Sequence, residues 1–384
     1  MNSVSPYIIH LIDTLRMGGA QTHLLTMLRQ AKRDFPSISH FVVSLFGDGA
    51  IGDMIRELGV PVHVLDIRPL LGRRRFLAAA GVIGGVLKSL RPDMVEAHLT
   101  WSRLLALYAA WRQGVALRVG FEQGDIYLDS LKFRVANFLG QFYAHRVIVC
   151  SHALGDWVHR THGVSWRRLT VLHNCVDVER FRPPSGPEDV ADFPRPECVT
   201  LFCAVGSLGY GVNKRMDVCI KAVAEARAAG ADVGLVICGD GAQRADLERL
   251  VDGLGLRAHV RFLGTRTDVE RVMRGCDAFC HAAPFEPFGI VCIEAMATGL
   301  PVVVPSSGGI QEAVDDGRTG FVYNVLDHEA LAGVMMRLHL EPDLRREMGL
   351  AARKVAEERF SARAYLRRLY GLYGILEPER GTAG

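Results

Sequence analysis

Apolar runs of strand length alternate with helix-period segments along nearly the whole chain, and the alternation stops once and restarts. In the first half the runs at 7–12, 40–46, 60–66, 93–98, 116–122 and 145–150 read as strands, with amphipathic stretches such as 20–34, 75–90, 101–113 and 130–143 between them. Runs that are apolar throughout describe strands buried on both faces, and intervening helices describe a parallel sheet. The segment RPPSGPEDVADFPRP at 182–196 has no periodicity and five prolines, so it reads as a linker. Five more runs follow, at 199–205, 233–239, 259–264, 277–282 and 300–305. The expected fold class is α/β, with two doubly wound Rossmann-like domains facing across a cleft. Their expected bounds are 1–181 and 197–360. A basic, aromatic helix and tail at 361–384 is free to pack back on the first domain. Ligands of such sheets bind beyond the carboxyl ends of strands, which makes the cleft the expected site.

Composition excludes several classes. A net charge of +3 over 384 residues gives no field for nucleic acid, so no nucleic-acid partner is expected. The nine cysteines are scattered through apolar runs with no CxxC pair, which fits free thiols in a reducing compartment. Cys276 and Cys280 are four apart but have only His281 beside them, so no metal site is expected there. The N-terminus lacks a basic start followed by a long apolar core, so no signal peptide is expected and the reading is cytoplasmic. The stretch 69–90 sets an arginine triplet ahead of an apolar helix. It reads either as a packing helix with a solvated basic end or as a peripheral contact with the inner face of a membrane.

Glycine and charge patterns point to a phosphorylated ligand. CGDGAQR follows a strand, but Arg244 stands where a dinucleotide fingerprint needs its third glycine, and no P-loop occurs. MGGAQ opens the first helix, where Gly18 and Gly19 either let backbone amides approach an anion or form a plain tight turn. VGSLGYGVNKR places Lys214 and Arg215 at another helix start, as a diphosphate counter-charge or a solvated pair. In FEPFGIVCIE, Glu286 precedes a helix and Glu294 lies within it, flanking the amides of Phe288, Gly289 and Ile290. A carboxylate only accepts hydrogen bonds and suits a vicinal diol, so acids around amides describe hydroxyls at both ends of a ligand and phosphate between them. A nucleotide sugar has that order. An acid complementing the helix dipole, plus one paired buried Glu, is the alternative.

The segment PFEPFGIVCIEAMATGLPVVVPSSGGIQEAVDDGRTGFV resembles the signature of retaining glycosyltransferase family 4, of GT-B fold, whose E-x7-E motif falls on Glu286 and Glu294. IDTLRMGGAQ, PDMVEAH and LHNCVDVERF are similar to further motifs of that family. The resemblance implies that Glu294 holds the ribose diol and Glu286 the hydroxyls of the transferred sugar. Gly19 and the amides of Phe288, Gly289 and Ile290 then meet the diphosphate, with Lys214 or Arg215 as counter-charge. The backbone near Gly264 reads the base, and His98 lies at the reacting centre. Two departures stand out: Ser207 replaces the family's usual Arg, and Cys175 replaces a Gly.

The activity so implied is metal-independent, retaining transfer of a hexose-type sugar from a nucleotide diphosphate sugar, UDP-sugar first, to a hydroxyl acceptor. That acceptor is a saccharide, a lipid-linked molecule or a small metabolite. No cofactor is implied, and the expected partners are the donor and the acceptor, with the membrane contact through 69–90 left open. GFEQGDIYLDS at 120–130 offers Glu122, Asp125 and Tyr127 as acceptor contacts. A 2-epimerase-like enzyme and a non-catalytic sugar-nucleotide-binding subunit remain as alternatives.

Overall fold

The computed structural model describes residues 5–73, 75–124, 131–209 and 214–377. It divides into two compact units, one of Met1–Cys175 with Ala362–Gly384 and one of Val176–Ser361. The first unit carries β1 (Tyr7–Ile12), β2 (Ser39–Ser44), β3 (Val62–Val64), β4 (Met94–His98), β5 (Leu117–Glu122), β6 (Arg146–Val149) and β7 (Leu169–Val171). Their order in the sheet is β3-β2-β1-β4-β5-β6-β7, with every pair parallel. The second unit carries β8 (Thr200–Val205), β9 (Val233–Cys238), β10 (Val260–Gly264), β11 (Ala278–Cys280), β12 (Val302–Pro305) and β13 (Gly320–Tyr323), in the order β10-β9-β8-β11-β12-β13. Both are doubly wound α/β sheets. Strand order reverses between β1 and β4 in one and between β8 and β11 in the other, where such folds open a crevice at the carboxyl ends. β7 and β13 add one strand to each sheet beyond the apolar runs picked out in the sequence.

The strands at each switch point are buried along nearly their whole length, with only Tyr7, Met94 and Val205 at strand ends half-buried, as parallel strands covered by helices should be. The helix Ala362–Leu372 belongs to the first unit and packs on the helix Gly19–Asp34, burying Tyr365, Leu366, Leu369 and Tyr370. The helix Phe76–Leu90 buries Ala79, Ala80, Ile83 and Leu87 and packs on Thr100–Arg112, while Leu77 at its start is 74% exposed. Among the described residues no helix is long and apolar enough to cross a membrane.

The proline-rich segment 182–196 is not a free linker. The chain passes between units after Cys175, and 182–196 is fastened to the second unit. Proline cannot donate, so this stretch offers mainly carbonyls, and arginines supply the donors. Arg274 donates to the carbonyls of Arg180 at 2.6 Å, Arg182 at 3.0 Å and Asp189 at 3.2 Å. Arg271 donates to Glu188 and Val190, Arg195 to Gly275, and Arg182 pairs with Asp189 at 2.9 Å. The two chain passages out of this unit lie side by side, joined by the Val176 amide donating to the Phe360 carbonyl at 2.8 Å.

Arg274→Ala strips donors from three carbonyls at once and is expected to lower the unfolding free energy by about 1–3 kcal/mol. Arg274→Lys should recover only part of that loss. Urea denaturation followed by circular dichroism measures both, and equal stability of all three proteins would contradict the fastening.

Candidate functional site

The second unit builds its site around Glu286. β11 ends at Cys280, the His281 amide continues the ladder to the Val303 carbonyl at 2.9 Å, and the chain then turns through Glu286 toward the helix Ile290–Ala297. Two glycines hold that turn. Gly308, at φ +64, lies so close that a Cβ there would stand 2.4 Å from the Glu286 carbonyl oxygen, and the Gly309 amide donates to that oxygen at 2.8 Å. Gly289, at φ +80, precedes the helix, and a Cβ on it would meet Ile310 at 2.8 Å. Among the described residues no side chain caps this helix, so its first amides stay available to an anion.

The Glu286 carboxylate is paired with the Lys214 ammonium and lies 3.3 Å from His281 Nε2. Burial raises its pKa, but His281 and Lys214 outweigh burial and hold it at about 2. Glu286 is therefore ionised at neutral pH. His281 is 1% exposed, and the Tyr323 hydroxyl donates to its carbonyl at 2.8 Å. The ammonium has three donors, and the Glu286 contact occupies one. Arg215 differs. Its guanidinium is held bidentately by Asp217 at 2.8 and 2.9 Å, so its charge is already met and Lys214 is the cation at Glu286.

Glu294 lies in the helix Ile290–Ala297, and its carboxylate has no hydrogen-bond partner among the described residues. Burial pushes its pKa up to about 7, with Arg180 lowering it and Glu270 raising it; those two pair with each other at 2.8 Å. Glu286 is thus supplied with a cation, while Glu294 is left to accept from something else. Ser207 is exposed after β8, and its hydroxyl accepts from the Gly209 amide at 3.3 Å. Gly264 closes β10 at φ +68, with its carbonyl accepting from the Gly239 amide at 2.8 Å. Phe288 is buried at 1%, and Ile290 opens the helix.

In the first unit the expected residues divide differently. Gly18 caps the helix Gly19–Asp34 in extended conformation, and a Cβ added at Gly19 would meet nothing within 4 Å. Asp13, just past β1, accepts from the Ser102 amide and hydroxyl, both at 2.7 Å, tying the start of the helix Thr100–Arg112 to the switch point. His98 closes β4 there, but its ring is 1% exposed and stacks on Phe121 with centroids 4.6 Å apart. Burial lowers its pKa, so the imidazole is neutral. Leu99 follows at φ 68 and ψ 174, a conformation costly for a non-glycine residue.

Glu122 corrects an expectation. It is 2% exposed and ion-paired with Arg103 at 2.5 Å, so its charge is consumed inside the unit rather than offered to an acceptor. Asp125 and Tyr127 lie outside the described residues. His281, Gly308, Asp13 and the carboxylate of Glu96, 3.5 Å from His98 Nε2, went unnoticed in the sequence. The repeated pattern of a histidine at a strand's carboxyl end, in MVEAH and AFCH, could have singled out Glu96 and His281 but carries no signal for Gly308 or Asp13.

Known proteins match both halves. Residues 17–180 match the family model described as glycosyltransferase family 4, and residues 187–355 match that of glycosyl transferases group 1. The chain is 28% identical to the lipopolysaccharide core biosynthesis glycosyltransferase LpsD of Rhizobium meliloti, covering 73% of this chain and 74% of that one. It is 36% identical to the D-inositol 3-phosphate glycosyltransferase of Corynebacterium jeikeium over 56% of this chain and 55% of that one. Its fold is similar to the crystal structure of Anabaena HepE in complex with UDP, with a TM-score of 0.80, 23% identity, and coverage of 96% and 100%.

Gly308→Ala forces a Cβ onto the Glu286 backbone at a left-handed φ and is expected to cost about 1–3 kcal/mol of stability. Ser306→Ala, at a buried-strand end without that contact, should cost less. Thermal unfolding of the two variants decides, and an unperturbed Gly308→Ala would refute the close approach.

Proposed function

We propose that this chain, a glycosyltransferase of the GT-B type, moves a hexose-type sugar from a UDP-sugar to a hydroxyl acceptor with retention of configuration. The observation that carries the reading is the contrast between the two glutamates, one held ionised by a lysine and the other half-buried, with its pKa raised and no donor among the described residues. A ribose diol supplies the two hydroxyl donors that Glu294 lacks. Glu286, fixed by Lys214 and His281, receives hydroxyls of the transferred sugar. The uncapped amides at Gly289 and Ile290, with the remaining donors of Lys214, take the diphosphate. The backbone near Gly264 meets the base. Anabaena HepE has been crystallised with UDP-glucose, which supports UDP as the nucleotide here.

Negative charge grows on the leaving diphosphate in the transition state, and fixed cations and amides that meet it lower the barrier. In this reading Lys214 and the helix-start amides do that work with no metal at the diphosphate. The departing phosphate takes the acceptor's proton during same-face attack, and His98 acts from the end of β4 on the reacting centre. The acceptor is a saccharide, a lipid-linked molecule or a small metabolite. Exposed Leu77 beside Arg75 supports one presented at an anionic membrane face. The named relatives are transferases, which supports transfer over epimerisation.

Calorimetric titration with UDP-, GDP- and dTDP-sugars tests the donor. Glu294→Ala should weaken UDP binding about 10-fold to 100-fold, the loss of a charged hydrogen bond. Because a diol favours ionised Glu294, binding should release a proton and tighten as pH rises from about 6 to about 8, and Glu294→Gln should flatten that dependence. His98→Ala should leave nucleotide affinity unchanged and depress transfer. Wild-type binding and activity in both variants would end the assignment.

A further inference from the structure

One layer of the first unit combines exposed apolar side chains with a complete lack of acids. The helix Phe76–Leu90 packs on Thr100–Arg112, which packs in turn on Leu131–Gly140. None of the three contains Asp or Glu, and the acid-free stretches run beyond them, over 67–92, 99–121 and 131–155. Exposed cations stand along this layer at Arg73, Arg75, Lys88, Arg112 and Arg134. A protein surface ordinarily intersperses both signs. The second unit does so, pairing Arg244 with Glu248 and Arg257 with Asp252.

The apolar side chains of the layer face water. Leu131, Val135, Phe138, Leu139 and Phe142 are 43–76% exposed. Their spacing is that of one helical stripe, which a surface helix ordinarily turns toward the core. Leu77 at 74% and Trp111 at 48% continue the exposure onto the neighbouring helices. Ring contacts connect the pieces: Phe138 meets Phe142 with centroids 5.5 Å apart, and Trp111 meets Tyr143 at 5.4 Å. A groove of about 290 Å³, with Leu77, Gly81, Tyr108 and Arg112 in its walls, lies between the first two helices. Apolar exposure on this scale marks an interaction surface.

Charge selects the occupant. Two copies of an acid-free face repel each other, which disfavours self-association through it. A nucleic-acid backbone would meet the arginines but gives Leu131, Val135 and Leu139 nothing to bury against. An anionic bilayer satisfies both features, because its headgroups take the cations and its acyl boundary takes aliphatic and aromatic side chains. Tryptophan and tyrosine suit that boundary as well. Among the described residues no helix is long and apolar enough to cross a membrane, so contact through this layer is peripheral.

We propose that this three-helix layer is a docking surface for an anionic lipid bilayer. Arg75 and Arg112 meet lipid phosphates, and the stripe from Leu131 to Phe142 enters the headgroup–acyl boundary. Docking of this kind needs neither donor nor acceptor, so it fails or survives apart from the transfer reading.

The full chain is mixed with vesicles of phosphatidylcholine alone, or of phosphatidylcholine with phosphatidylglycerol, and bound protein is measured by co-sedimentation. Binding to the anionic vesicles is expected to be at least about 10-fold tighter and to weaken as salt rises. Arg75→Gln with Arg112→Gln should weaken it about 10-fold to 30-fold, at about fivefold per cation. Val135→Ser with Leu139→Ser keeps every charge and should weaken it at least about 5-fold. Arg249→Gln with Arg257→Gln removes the same charge from the second unit and should leave binding unchanged. Circular dichroism checks that each variant is folded. Equal binding to neutral and anionic vesicles, equal weakening in the second-unit variant, or a dimer in ultracentrifugation that Val135→Ser with Leu139→Ser dissociates would each overturn the proposal.

Discussion

A carboxylate removed from water must be given a cation or several aligned donors, and this requirement organises both units at the carboxyl ends of their sheets. Glu286 meets it with Lys214 and His281. Meeting it places demands on the chain elsewhere. The lysine stem folds over Gly206, where a Cβ would stand 2.9 Å from Lys214 Cγ, and the turn carrying Glu286 rests on Gly308. Residues from three separate strand ends are thereby locked around one charge. In the first unit Glu122 with Arg103 and Asp13 with Ser102 answer the same requirement, and each answer ties a helix to a strand end.

Much of this could be seen in the amino-acid order because burial on both faces leaves an unbroken apolar signature. The eleven runs correspond to strands, whereas β7 and β13 were missed for a physical reason. Leu169–Val171 and Gly320–Tyr323 are short, sit at sheet edges and are only partly buried, so their composition differs little from loop. Segment 182–196 was misread because proline content reports missing donors, not missing contacts. The arginines that fasten it, Arg271 and Arg274, lie some eighty residues away in sequence, where no local pattern reveals them.

The site itself was legible in type and only partly in state. Two glutamates around a glycine turn stand out in any reading of 286–294, but their different ionisation depends on neighbours brought in by the fold. Lys214 reaches Glu286 across 72 residues, and Arg215, adjacent in sequence and equal in charge, is drawn off by Asp217 only two positions away. A local salt bridge thus decides which of two neighbouring cations serves the site. Glu122 was misassigned for a related reason: Arg103, the partner that neutralises it, comes from a different element.

The two glutamates of the motif also differ in what a ligand must do to them. Glu286 already carries its charge, so a hydroxyl arriving there competes with Lys214 and His281 for the same oxygens and gains little net energy. Its contribution is orientation. Glu294 is half-buried with its pKa raised to about 7 and has no donor among the described residues, so in the proposed reading a diol gives it the donors it lacks. Binding energy should therefore concentrate at the Glu294 end and geometric selection at the Glu286 end. That division suits a transferase, because tight binding of the part that does not react leaves the reacting sugar to be gripped most firmly only when its bond begins to break.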